Sequence, residues 1–211
     1  MHKVIFLFLA LMSVSGTGHA NLILNGSFEN NDIPNNSWRP FNAGTVDGWS
    51  GTNMELWDHF QRFKAFEGRQ YAELNANGNG GRYSIYQTIN TIAGLSYDVS
   101  FAYAARRRTY ESFRFDILDV NDSVLFSQVI DDHLVKSWSL FSGGFVALSN
   151  FTTIRFSTIN RGTYGNFIDN VSVTGAPTPA LRASSVSVPE PSSILLLSAA
   201  IVFLARLRKK A

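Results

Sequence analysis

Three aromatic residues stand in settings suited to sugar recognition. Trp57 is flanked by Asp58 and His59, while Tyr110 and Tyr164 lie in polar, turn-like stretches. Sugar C–H faces stack on aromatic rings and their hydroxyls need directional polar partners, so an exposed ring beside polar side chains is the basic unit of a glycan site. The remaining candidates, among them Trp38, Trp49, Tyr83, Tyr86 and Trp138, are expected mostly in the core of a β-rich chain. A carboxylate supplies a second kind of chemistry. In the run Phe167–Val173, period-2 alternation places Asp169 on the face of Phe167, Val171 and Val173, among apolar neighbours. A buried carboxylate must be paired, bound to a cation or hydrogen-bonded to backbone amides. Finally, Arg106-Arg107-Arg108 forms a short cationic run. Such a run is expected to be a solvated loop, with acidic exopolysaccharide as the alternative partner.

Catalytic patterns are absent from the sequence. Beyond the first twenty residues the only histidines are His59 and His133, without metal-ligand spacing, and there is no nucleophile elbow, phosphate loop or zinc motif. Asp131 and Asp132 could join Glu73 or Glu111 as a carboxylate pair for glycoside hydrolysis, but that requires a separation of roughly 5 to 9.5 Å in space. The chain is therefore expected to act without catalysis.

The elements that must position these residues come from the middle of the chain. Of 18 basic residues, Lys3, Arg206, Arg208, Lys209 and Lys210 lie at the two ends; removing these five leaves 13, and removing Glu190 from 16 acidic residues leaves 15. The formal +2 thus belongs to the termini, and the slightly acidic middle argues against nucleic acid as a partner. Residues 1–20 read as a signal peptide: Lys3, an apolar run Val4–Met12, and a small-residue end Gly18-His19-Ala20 with cleavage expected after Ala20. Residues 21–175 have the size of one domain, with no cysteine to cross-link it. Residues 176–187 read as a linker with prolines and small residues. Val188-Pro189-Glu190-Pro191 follow, then an uncharged run 192–205 and the basic tail 206–210. Such a run rises about 21 Å as helix, short against a hydrocarbon core of roughly 30 Å, so as a membrane helix it needs local thinning. The basic tail is expected to stay cytoplasmic while the domain is exported.

Within residues 21–175 the pattern is β throughout. Tyr97, Val99, Phe101 and Tyr103 alternate with polar or small residues, and Phe113, Phe115 and Ile117 do the same. Further strands are expected over Leu22–Glu29, Gln70–Asn75, Tyr83–Ile89, Val124–Ile130, Ser137–Leu140, Gly144–Leu148, Thr153–Ile159 and Phe167–Val173. Many short strands between Gly- and Asn-rich turns predict an all-β antiparallel sandwich of jelly-roll type.

Two parts of the chain resemble known families. The tail 188–211, Val-Pro-Glu-Pro followed by a short apolar run and a basic end, closely resembles the PEP-CTERM sorting signal of Gram-negative bacteria, although the family's usual glycines are missing from the apolar run. The resemblance implies processing by an exosortase, an inner-membrane-anchored precursor, and release to the cell surface or extracellular matrix. Asn25-Gly26-Ser27-Phe28-Glu29, Glu67–Leu74, Ile85-Tyr86-Gln87-Thr88-Ile89 and Ile168–Val173 together resemble galactose-binding-like jelly rolls, including carbohydrate-binding modules. That resemblance implies the fold and a structural calcium helped by Glu29 and Asp169, whereas amide hydrogen bonds to Asp169 stay the alternative. The expected function is a non-catalytic surface or matrix module that binds carbohydrate. The rivals are a structural or adhesive protein without a glycan site and, further off, a glycan-active hydrolase. Trp57, Tyr110 and Tyr164 exposed together on one face would favour the glycan binder.

Overall fold

The computed structural model describes residues 20–76, 81–107 and 110–175. The expected signal peptide, the expected linker, the Val188–Pro191 motif and the expected membrane helix lie outside the described residues. Among the described residues no helix is long and apolar enough to cross a membrane.

The described residues form eleven strands: β1 (Ser37–Phe41), β2 (Ser50–Gly51), β3 (Met54–Asp58), β4 (Gln70–Glu73), β5 (Ser84–Asn90), β6 (Ser96–Ala104), β7 (Phe113–Leu118), β8 (Val124–Ile130), β9 (Ser139–Val146), β10 (Phe151–Thr158) and β11 (Phe167–Gly175). They form two antiparallel sheets, ordered β1-β3-β4-β11-β6-β9 and β2-β5-β10-β7-β8. The fold is an all-β sandwich, as the alternation requires: the inward set of β6 and β7 meets across the gap. Phe101 lies 4.9 Å from Phe115, 5.0 Å from Phe156 and 4.7 Å from Phe141, ring centroid to centroid. Burying one such ring contributes roughly 1.5–3 kcal/mol. A second, smaller aromatic cluster of Trp57, Phe63, Tyr71, Ala104 and Phe167 is separate from this core. Trp38, Phe60, Ala65 and Trp138 pack against it.

Three expectations about strands need correction. Leu22–Glu29 is not a strand but a series of turns, because Asn25 and Phe28 take left-handed backbone angles (φ 53° and 58°). The segment instead lies along β11 through Leu22 N–H to the Val173 carbonyl and Val171 N–H to the Gly26 carbonyl. The expected runs Ser137–Leu140 and Gly144–Leu148 are not two strands: their inner parts, residues 139–140 and 144–146, belong to one strand, β9. Its glycines Gly143 and Gly144 sit in register with Val99 and Asp98 of β6, so ladder pairing carries the chain straight through them. The alternation also missed β1, β2 and β3. All five residues of β3 are buried, Met54 and Leu56 in the main core and Trp57 in the second cluster, and its polar residues Glu55 and Asp58 do not alternate regularly with the apolar ones, so no period-2 pattern marks it as a strand.

A candidate carbohydrate-binding cleft at the loop end of the sandwich

Two loops build the site: the one leaving β6 through Ala105, Arg106 and Arg107, and the one between β10 and β11 from Asn160 to Asn166. Both are organised by Glu111, which is 2% exposed. Its Oε2 accepts from the amides of Arg106 (2.6 Å) and Asn166 (3.3 Å), and its Oε1 from Arg107 (3.0 Å). Gly165 passes so close, at φ 115°, that a Cβ there would stand 2.4 Å from the Glu111 carboxyl carbon. Asn166 donates through its Nδ2 to Asn75 and Asn160, both at 2.7 Å, and Asn160 Nδ2 in turn donates to the Tyr164 carbonyl at 3.3 Å.

Arg106 is the keystone. Its guanidinium lies 4.4 Å from the Trp57 ring and 4.5 Å from the Tyr164 ring, and its Nη1 reaches both oxygens of Glu73 at 3.1 Å. Glu73 Oε1 also accepts the Gly165 amide at 2.7 Å. Burial pushes the Glu73 carboxyl well up, while the Arg106 guanidinium and the Gly165 N–H pull against it. Arg107 stacks on Tyr164 as well, at 4.4 Å. The Tyr164 ring is therefore held by two stacked guanidiniums while staying 46% exposed.

Above this base lies a cleft of about 190 Å³ lined by Arg107, Tyr110, Asn160, Arg161, Gly162 and Tyr164, with Glu111 also in its wall. Tyr110 is 60% exposed. The fold thus brings Tyr110 and Tyr164 together from loops some fifty residues apart. Trp57 is a correction: at 2% exposure it cannot stack on a ligand. It packs among Phe60, Tyr71 and Phe167, with its Nε1 donating to Glu55, and supports the site from beneath through Arg106. The Arg run is corrected at its first residue: Arg106 is half-buried and paired with Glu73, whereas Arg107 is exposed and Arg108 lies outside the described residues. Sequence reasoning also missed Glu73, Glu111 and Asn166 as organisers of the site. The polar turn clusters flagged the loops, but nothing local showed that their amides converge on one carboxylate.

The carboxylates considered for hydrolysis do not face one another in a cleft. Glu73 and Glu111 are buried and occupied by the donors just described. Asp131 and Asp132 line a different cleft, where Asp132 accepts from Tyr103 Oη at 2.8 Å.

Glu29 and Asp169 lie elsewhere, on either side of the loop before β4. Asp169 Oδ2 accepts from Phe66 (2.8 Å) and Glu67 (3.0 Å), and its Oδ1 from Asn170 (2.7 Å). Glu29 Oε1 accepts from Arg69 (2.6 Å) and Gln70 (2.7 Å). Gly68, at φ 65°, leaves room for this, since a Cβ would approach Glu29 Oε1 to 2.4 Å. The expected shared face is corrected. Asn170 takes φ 49° at a bulge in the β11–β6 ladder, so Asp169 stays on the Phe167 side while Val171 and Val173 join the main core. Burial pushes the Asp169 carboxyl up to about 7 against its three amide bonds, with Glu67 adding to the rise. Asp169 makes no ion pair among the described residues. A buried carboxylate without a counter-cation is a setting that a hard cation would relieve, although no group of three or more metal-ligating side chains occurs among the described residues.

Comparison with known proteins gives two family matches. Residues 21–174 match the model described as a protein of unknown function (DUF642), and residues 187–209 match the PEP-CTERM protein-sorting motif. No curated protein matches this chain in sequence. Among solved structures, the carbohydrate-binding module TmCBM61 in complex with β-1,4-galactotriose is similar, with 16% identity, a TM-score of 0.52 and coverage of 74% of this chain and 99% of that one. The enzymatically active domain of tailspike protein 4 from bacteriophage CBA120 is similar at 16% identity and a TM-score of 0.50, over 74% of this chain but 21% of that one. A family 35 module from Paenibacillus barcinonensis shares 23% identity at a TM-score of 0.44, over 65% of this chain and 99% of that one. At these identities the likeness shows the fold, a jelly roll of the kind used by carbohydrate-binding modules.

Proposed function

This chain belongs to the DUF642 family, and from that membership and its PEP-CTERM sorting motif we propose that it is an exported, non-catalytic module that binds carbohydrate at the Tyr110–Tyr164 cleft. The observation that carries the proposal is the pair of exposed tyrosines in one cleft with Asn160, Arg107 and Arg161 beside them. The Tyr110 ring supplies the apolar platform and the guanidinium groups supply directional partners, while Asn160 ties the loop through Ser112, Asn166 and Tyr164. The module structure with galactotriose supports the reading by fold alone.

Tyr110→Ala is the cleaner test, because Tyr164→Ala would also unstack Arg106 and Arg107. Affinity electrophoresis against a panel of polysaccharides should show wild-type retardation and about tenfold weaker binding for Tyr110→Ala, equivalent to about 1.4 kcal/mol. Absence of retardation on every polysaccharide would sink the proposal. It would favour a structural or adhesive role, for which the uncharged, proline-free edge strands β8 and β9 speak.

Sorting is proposed to run through exosortase recognition of Val188, Pro189, Glu190 and Pro191, with release to the cell surface or matrix. Mass spectrometry of the mature protein should then show a C-terminus near residues 188–191; an intact Ala211 would count against processing.

Calcium belongs to the proposal as a structural guest. Glu29 and Asp169 would hold it through lone pairs that their amide donors leave open, and it would supply the positive charge that buried Asp169 lacks. Calcium should raise Tm by several degrees and EDTA should reverse the shift, with Glu29→Gln insensitive to both. An unchanged Tm in wild type would remove calcium from the account.

A further inference from the structure

We infer that the cleft selects an acidic polysaccharide, its anionic group bound by the guanidiniums of Arg107 and Arg161. This rests on the proposed carbohydrate-binding reading and names the ligand class.

The folded part of the chain is slightly acidic, yet Arg82, Arg106, Arg107 and Arg161 gather at this end. They are not equivalent. Arg106 is spent on Glu73, and its side chain is 12% exposed. Arg82, Arg107 and Arg161 are exposed and make no ion pair among the described residues. The Arg107 guanidinium lies over the Tyr164 ring at 4.4 Å, so the ring covers one side of it while the residue as a whole stays exposed. Arg161 lines both the tyrosine cleft and a neighbouring trough of about 500 Å³ that also contains Arg82, Tyr83, Ser84, Ser157 and Thr158. Among the described residues no carboxylate lines that trough.

The one acid of the tyrosine cleft is Glu111, and its oxygens are turned to the amides of Arg106, Arg107 and Asn166. Its lone pairs are turned inward, holding the loops together, and its single negative charge is outnumbered by the positive charges of Arg82, Arg107 and Arg161. Guanidinium has five donors and no acceptor, so a rim built from it presents donors only. A neutral sugar hydroxyl, which must also donate, is a poor match. A carboxylate or sulfate only accepts, fits the planar fork and forms the stronger, charge-assisted bonds. Stacking on Tyr110, the more exposed of the two rings, supplies the contact to the sugar ring, and the guanidiniums decide which sugar.

The test is affinity electrophoresis of the full-length chain in gels containing alginate, its neutral propylene glycol ester, or dextran sulfate. Alginate should retard the wild type at least tenfold more strongly than the ester, and retardation should weaken with salt. Arg107→Gln and Arg161→Gln should each weaken alginate binding about tenfold; Arg161→Gln should leave the urea unfolding midpoint unchanged, and Arg107→Gln should lower it only slightly through the lost contact with Tyr164. Stronger retention on dextran sulfate, lost in the same variants, supports the same site with sulfate as the preferred anion. Equal binding of alginate and its ester, with loss on Tyr110→Ala, overturns acid selection while the carbohydrate reading stands. Retention on polyanions that survives Tyr110→Ala and both arginine substitutions overturns the assignment of this cleft. Binding to none of the gels overturns the acidic-glycan inference, and retention on other, neutral polysaccharides would then show whether the carbohydrate reading survives it.

Discussion

Glu73→Gln should lower the unfolding free energy by about 3–5 kcal/mol, the cost of removing one partner from a buried ion pair. The asymmetry of the pair makes this the more damaging side to change. Arg106 cannot shed its proton, so without Glu73 a permanent cation stays caught between Trp57 and Tyr164. Glutamine would also turn an amide donor toward guanidinium donors. In the reverse variant, Arg106→Met, the orphaned Glu73 can take up a proton, the direction in which burial already pushes it. Its cost should therefore be smaller, even though packing between the two rings is also lost. Urea unfolding followed by tryptophan fluorescence would measure both, Trp57 being a direct reporter. A loss below about 1 kcal/mol for Glu73→Gln, the range of an exposed pair, would mean that water reaches Arg106 and that the keystone role is wrong. Glycan affinity should fall with stability, because Tyr164 loses the support of Arg106.

Acid should destabilise the domain through His133. This residue is 1% exposed, edge-on to Tyr103 at 5.1 Å and Phe113 at 5.3 Å, and neither ring nitrogen has a hydrogen-bond partner among the described residues. Burial pushes its pKa down from 6.5 to about 4, against the pull of Asp132 and Asp131. The folded state thus binds fewer protons than the unfolded one between these values. The stability is fully present above pH 6.5 and is lost as pH falls toward 4, by on the order of 3 kcal/mol. Asp169 works in the opposite direction. With its pKa raised from 3.8 to about 7, its contribution is present at low pH and lost as pH rises through 7. Comparing wild type with His133→Phe cancels the Asp169 term. Phenylalanine keeps a ring beside Tyr103 and Phe113 and removes two unsatisfied nitrogens. The variant should match or exceed the wild-type Tm at pH 7 and should lose far less of it by pH 4. Parallel Tm-against-pH curves for the two proteins would refute the role of His133.

How much of this was legible depends on the range of the forces involved. Strand periodicity is a local signal, and it located β4 to β8, β10 and β11 to within a few residues, most clearly β5 and β6, where buried and more exposed positions alternate. It failed where that asymmetry vanished, as in β3, and where left-handed residues broke an apolar run, as at Asn25 and Phe28. The glycines of β9 read as a turn because pairing with β6, which keeps them extended, is a contact made over some forty residues.

The same division holds for the site. The sequence by itself determined an all-β sandwich, a PEP-CTERM sorting motif and the two tyrosines whose polar turns leave their rings in solvent, since composition and neighbour pattern are properties of the chain alone. Only the tertiary structure decided that Trp57 is a buried support, that Arg106 is a paired strut while Arg107 and Arg161 face outward, and that Asp169 turns away from the main core. Those outcomes depend on which distant groups meet. A bulge at Asn170 reverses a face, and a carboxylate at position 73 determines whether an arginine 33 residues later is spent or free.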